Sequence, residues 1–175
     1  ASEIVRIFQA IPEFQVIDGT ALIANEGYLF PDTYWFTGRE TSVEIIQKMR
    51  NNFDKKTKTL FRAGELAKQK AVVTIASLLE KEVKTETDMR LVAGIIQKRL
   101  TLKMPLEIDA TVAYGVCRRK WEAVAGSGLR TCNVNEANLV DNIKIDSEYN
   151  TYRRKGLPPT PISNPGLTAI RSALN

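Results

Sequence analysis

Apolar residues recur at helical spacing along most of the chain. Over 42–54, Val43, Ile46 and Met49 share a face and Thr41 or Ser42 can cap it, which predicts an amphipathic helix. The run 64–83 predicts a longer one. At about 100° per residue, Val72, Ile75, Ala76, Leu79 and Val83 gather into one stripe, with Glu80 and Glu82 on opposite flanks. Thr85 or Thr87 can cap a third helix running to about Leu102, with Met89, Val92, Ala93, Ile96 and Leu100 at helical spacing before Met104-Pro105 breaks it. A short helix is predicted over 2–10, and another where LTAIRSALN closes the chain. Extended segments are predicted at 15–23 and at the aromatic-rich 28–36. GLPPTPISNPG, 156–166, has four prolines and must be a turn or loop. The pattern predicts an α+β fold, mainly helical with a small β component.

Length narrows this to one domain: 175 residues with 43% hydrophobic content suffice for a single core, and a second full domain does not fit. No repeat or low-complexity tract interrupts it, and the longest apolar stretch, AVVTIASLL at 71–79, is too short to span a bilayer. The formal charge of +5 favours a polyanionic partner. Basic triplets stand at Arg118-Arg119-Lys120 and Arg153-Arg154-Lys155 without the stacking aromatics of nucleic-acid readers, so a solvated face is the first reading and no nucleic-acid partner is expected. The chain has no His, which removes His triads, His metal ligands and His proton shuttles. Cys117 and Cys132 are too few for a structural zinc site. Pairing would close a loop of about fifteen residues, contributing on the order of 3 kcal/mol, but two unpaired thiols fit the sequence equally.

Candidate chemistry therefore rests on carboxylates. At the border of an apolar stripe, Glu80 or Glu82 would be half-desolvated, which favours the protonated form and suits a general acid. The wheel does not choose between them, and two solvated residues near a helix end are the plain alternative. Glu26 lies in NEGYLFPDTY, where Gly27 and Pro31-Asp32-Thr33 allow bends, so it either lines a pocket or stabilises its loop. Asp109 either caps the helix that follows it or lines the cleft, with capping favoured. Tyr149, Asn150, Thr151 and Tyr152 supply hydroxyls, an amide and flat faces suited to N-acetylated sugars.

NEGYLFPDTY (25–34), ASLLEKE (76–82), VAGIIQKRLTLKMPLEIDATVAYG (92–115) and SEYNTYRRKGLPPTPISNPGLTAIRSAL (147–174), in that order, resemble the bacterial endolytic murein transglycosylase family, also called MltG or YceG-like. The resemblance covers the chain from about residue 25. It implies cleavage of the β-1,4 bond between N-acetylmuramic acid and N-acetylglucosamine within peptidoglycan strands, leaving 1,6-anhydro ends, with no cofactor. It makes the first Glu of E-K-E, Glu80, the catalytic acid, with Glu26 the strongest rival; Glu26, Glu82, Asp109, Tyr149, Asn150, Thr151 and Tyr152 are the candidate substrate-site residues that the residue chemistry offers beside it. A membrane anchor and a LysM-like subdomain upstream are implied, with a place on the outer face of the cytoplasmic membrane and cell-wall synthases or division proteins as partners. A silent peptidoglycan-binding or wall-assembly module is the competing reading.

Three positions depart from the family pattern. Ala110 stands where Pro is usual between Asp and Thr, Glu148 replaces the Pro before Tyr-Asn-Thr-Tyr, and Lys98 replaces an Asn before Arg-Leu. The stretch between Gly115 and Ser147, which holds both cysteines, is longer than the family pattern, and an added hairpin or helix is expected there.

Overall fold

The computed structural model describes residues 4, 7, 8, 10–14, 18–122 and 142–174. Among the described residues, a 3-10 turn at Pro12–Phe14 is followed by six helices: α1 Gly19–Ala24, α2 Ser42–Thr57, α3 Leu66–Glu82, α4 Glu86–Thr101, α5 Asp109–Glu122 and α6 Leu167–Leu174. Among the described residues, β structure is confined to an isolated antiparallel bridge between Pro105 and Lys155. No helix among them is long and apolar enough to cross a membrane.

α3 is the axis of the fold. Every residue from Val72 to Leu79 is buried, because α4, α5 and α6 all pack against it. Most of the predicted stripe thus lies in a helical segment, 72–79, that is buried on all sides, and Thr74 and Ser77 satisfy their hydroxyls on the helix's own carbonyls, Lys70 O at 2.8 Å and Thr74 O at 2.7 Å. α4 keeps its predicted face, burying Met89, Ala93 and Ile96, and Thr85 is its N-cap, accepting from the Asp88 N–H at 3.2 Å.

A second, aromatic cluster joins Phe8, Phe14, Leu22, Ile23, Leu29, Ile45 and Met49, with Phe8, Phe14 and Phe36 meeting edge to face. It rests on α2, whose start is locked by a capping box: Thr41 accepts from the Glu44 N–H while Glu44 accepts from the Thr41 N–H. The face α2 buries is Ile45, Met49, Phe53 and Thr57. Val43 lies about 160° around the helix from Ile45 and is exposed, which corrects its predicted place on the inner face.

The extended prediction over 15–23 is also corrected where the residues are described. Asp18 accepts from the Thr20 and Ala21 N–H groups at 2.9 and 3.2 Å and starts α1 instead. Residues 28–36 run without a ladder. Side chains of α2 hold the segment instead: Lys48 donates to the Trp35 carbonyl, while the Asn52 amide donates to the Asp32 carboxylate and the Tyr34 hydroxyl.

Both basic triplets grip 142–147, through Arg119 to Asp146 O, Arg153 to Lys144 O at 3.2 Å and Arg154 to Asp146 Oδ1 at 2.8 Å. The expected insertion after Gly115 begins as a continuation of α5 to Glu122, and its middle lies outside the described residues. Cys117 is fully buried and disulfide-bonded; Cys132 lies outside the described residues.

Candidate active site

The last turn of α3 carries Glu80 and Glu82, and each faces the start of a different helix. On one side the Pro-rich loop is fastened to α3. The Ile162 N–H donates to Ser77 Oγ at 3.0 Å, and Ser163 Oγ donates to Ser77 O at 2.8 Å. Ser77 is completely buried, so these bonds are shielded from water. Three residues further along α3, the exposed Glu80 accepts from the Gly166 N–H through Oε2 at 3.1 Å. Gly166 in turn opens α6, its carbonyl accepting from the Ile170 N–H.

The 25–30 segment closes onto the same loop. Asn164 Oδ1 accepts from the N–H groups of Gly27 and Leu29 at 2.7 and 3.2 Å. Gly27 has φ +93°, and a Cβ on it would stand 2.4 Å from Pro161 Cγ, so both backbone conformation and space call for glycine.

On the other side, Glu82 meets α5, where its carboxylate accepts from the Ala110 N–H. Its side chain reaches solvent, yet partial burial of the carboxyl, and then the negative charge of Asp109, hold its pKa above the ordinary carboxylate value. Asp109 is the first residue of α5 rather than the residue before it, and Tyr152 donates to its Oδ1 at 2.5 Å. That bond, followed by desolvation and the charges of Asp109, Glu107 and Glu82, pushes the Tyr152 hydroxyl up to about 12.

The remaining sequence-predicted residues lie deeper. Glu26 is buried and accepts from Tyr114 OH at 3.1 Å. Burial, then the Glu26 charge, drives the Tyr114 hydroxyl far above its ordinary pKa. Tyr149 is buried with its ring 4.9 Å from that of Tyr114, and its hydroxyl meets Thr160 at 2.8 Å. Asn150 is fully buried. Its amide donates to Ile143 O and Ile145 O, and its Oδ1 accepts from the Tyr152 N–H. Thr151 accepts from the Ile108 N–H at 3.0 Å and lies 2.9 Å from Thr111 Oγ1, which joins the 147–152 turn to the start of α5.

Glu80, Glu82, Asp109 and Tyr152 therefore present polar atoms at or near the surface, while Glu26, Tyr149, Asn150 and Thr151 use theirs inside. Sequence reasoning missed Ser77, Asn164 and Gly166 as parts of the site. Ser77 lies inside ASLLEKE and the other two inside SNPG, so the segments were legible, but the pairing of a serine with a loop 85 residues away was not.

The chain matches the YceG-like family over residues 2–175. It is 34% identical over 154 residues to the endolytic murein transglycosylase of Bacillus subtilis (strain 168), covering 86% of this chain and 38% of the relative. It is also 34% identical over 163 residues to the endolytic murein transglycosylase of Streptococcus pneumoniae (strain ATCC BAA-255 / R6), covering 91% of this chain and 28% of the relative. A crystal structure of a YceG-like protein from Listeria monocytogenes superposes with a TM-score of 0.64 at 33% identity, covering 86% of this chain and 45% of that one. The chain thus spans less than half the length of these relatives. With a match over nearly all its residues and these identities, the chain belongs to the YceG-like family.

Proposed function

We propose that the chain is the catalytic domain of a peptidoglycan lytic transglycosylase that cleaves the β-1,4 bond between N-acetylmuramic acid and N-acetylglucosamine within glycan strands. The observation that carries the reading is Glu80: an exposed carboxyl directly after the buried 72–79 stretch of α3, its Oε2 held by the Gly166 N–H. Relatives of this family named endolytic murein transglycosylases support the reaction class.

In the proposed reaction, protonated Glu80 gives its proton to the glycosidic oxygen as the bond from C1 breaks, releasing the N-acetylglucosamine side with a new hydroxyl. The C6 hydroxyl oxygen of the muramic residue then bonds to C1, and the Glu80 carboxylate takes the C6 hydroxyl proton. The acid is regenerated and the product end is a 1,6-anhydro sugar. One carboxyl serves both halves, so neither a second nucleophilic carboxylate nor an activated water is required. Glu82, Asp109 and Tyr152 supply polar contacts to the N-acetylated sugars, and Glu26, Tyr149, Asn150 and Thr151 shape the wall from beneath.

The length this chain does not cover in its relatives leaves room for the implied membrane anchor and LysM-like subdomain. We place the whole protein in the cell envelope, on the outer face of the cytoplasmic membrane, near wall synthases or division proteins. Mass spectrometry of purified peptidoglycan after incubation with the chain tests the reading. Anhydro-muramyl ends support it, reducing ends indicate a hydrolase, and binding without new ends indicates a silent wall-binding module.

A further inference from the structure

We infer that Asn164 is a positioning residue for the Glu80 carboxylate, acting through Gly166; the inference rests on Glu80 being the acid proposed above. Asn164 Oδ1 holds two backbone N–H groups, of Gly27 at 2.7 Å and Leu29 at 3.2 Å, from a segment 135 or more residues away in sequence. Two residues after Asn164, the Gly166 N–H holds Glu80 Oε2 at 3.1 Å. Pro165 stands between them, and its ring fixes its own φ. The link from Asn164 to the Gly166 N–H is therefore short and has few free torsions.

The other end of the loop is equally fixed. Pro161 packs where a Cβ on Gly27 would fall, and Ile162 and Ser163 bond to Ser77, one turn before Glu80 on the same helix. Ser77 sets the height of the loop on α3, and Asn164 sets where the loop's far end points. Glu80 itself is exposed, so nothing like core packing immobilises its carboxyl; the Gly166 N–H does so by occupying Oε2 and leaving Oε1 for proton exchange. Gly166 contributes its N–H and not a special conformation. A Cβ there would lie 3.8 Å from Glu80 Oε2, an ordinary contact.

The test is turnover of purified glycan strands by Asn164→Ala and Asn164→Asp, together with the amide resonance of Gly166 in each. Asn164→Ala should lower kcat by roughly 10- to 100-fold, the scale of a misplaced catalytic group, with KM within about twofold because no sugar contact is removed. Asn164→Asp keeps the acceptor atoms and should recover most of the loss. Glu80→Gln should displace the Gly166 amide resonance, and Asn164→Ala should displace it without touching Glu80. A parent-like kcat in Asn164→Ala overturns the inference, as does an Asn164→Asp variant as impaired as Asn164→Ala. Should Asn164→Ala fold poorly, Asn164→Asp decides alone, a displaced Gly166 amide counting against the inference. If Glu80→Gln turns over normally, the lytic reading fails, while the amide resonances still judge whether Asn164 governs the contact.

Discussion

Glu80 and Glu82 are two residues apart on one helix end and meet different surroundings. Glu80 faces the α6 start, where one backbone N–H touches it on an open surface. Glu82 faces the α5 start, where partial burial and the neighbouring Asp109 raise its pKa while the Ala110 N–H works against both. Two similar carboxylates are thus set apart by what each helix start brings with it: a proline-bounded loop clamped to Ser77 on one side, an acidic and phenolic cluster on the other. Under the proposed reaction, the difference teaches that a raised carboxyl pKa does not by itself locate the acid. The raised group, Glu82, is the one tied into the protein's own network, and Glu80 is the one left open to a substrate.

The largest test of that division is the pair Glu80→Gln and Glu82→Gln. With general acid–base catalysis worth roughly 10²–10⁴-fold, Glu80→Gln should lose that much kcat on glycan strands while its thermal midpoint stays close to the parent's. Glu82→Gln should stay within about tenfold, since Gln preserves an acceptor for the Ala110 N–H and only sugar positioning suffers. Reversed magnitudes would make Glu82 the acid.

Next comes the clamp. Ser77→Ala leaves the Ile162 N–H without its partner in a fully buried place, at a cost of about 1–3 kcal/mol. For a chain of this size that lowers the thermal midpoint by roughly 2–10 °C, and activity per folded molecule should fall as the loop that carries Gly166 loosens. An unchanged midpoint would show that the loop does not depend on Ser77.

A smaller effect separates the two carboxylates by pH. The folded chain binds the Glu82 proton more tightly than the unfolded chain does, so ionising Glu82 costs stability. That cost is absent below the ordinary value of 4.5, grows as pH rises from there through the raised folded value, and persists at neutral pH. Glu82→Gln removes it. Thermal melts should therefore match the parent near pH 4 and lie above it at pH 7, by less than about 2 °C for a group this accessible. A variant less stable at pH 7 than at pH 4, relative to the parent, would reverse the sign assigned to Glu82.

The smallest expected effect on turnover is at Cys117, buried in α5 and disulfide-bonded. The proposed chemistry uses no thiolate. A Cys117→Ser, Cys132→Ser double variant should keep the parent's turnover at moderate temperature and lose only thermal stability. A large loss of turnover with the fold intact would tie the 116–146 segment to the cleft.

The predominantly helical character, the approximate ends of α3 and α4 and the loop nature of 156–166 were legible along the chain, and the caps were narrowed to Thr41 or Ser42 and to Thr85 or Thr87, of which the structure uses Thr41 and Thr85. These depend on neighbours three or four residues apart and on the fixed φ of proline. The order of four motifs carried the family resemblance, and through it the proposal of Glu80 as the acid. Val43 and the 15–23 segment were misread for a related reason: a wheel or an alternation says which residues share a face, and only the packed partner says which face turns inward. The burial of the 72–79 stretch of α3 on all sides follows from α4, α5 and α6 closing around it. Tertiary structure alone decided that Tyr149, Asn150 and Thr151 spend their polar atoms inside and that Ser77 and Asn164 tie the Pro-rich loop to two distant segments. It also decided that Glu80 and Glu82 stand before different helix starts. Hydrogen bonds across 40 to 137 residues leave no periodic trace in a sequence, because either partner alone is an ordinary polar residue until the fold removes water from both.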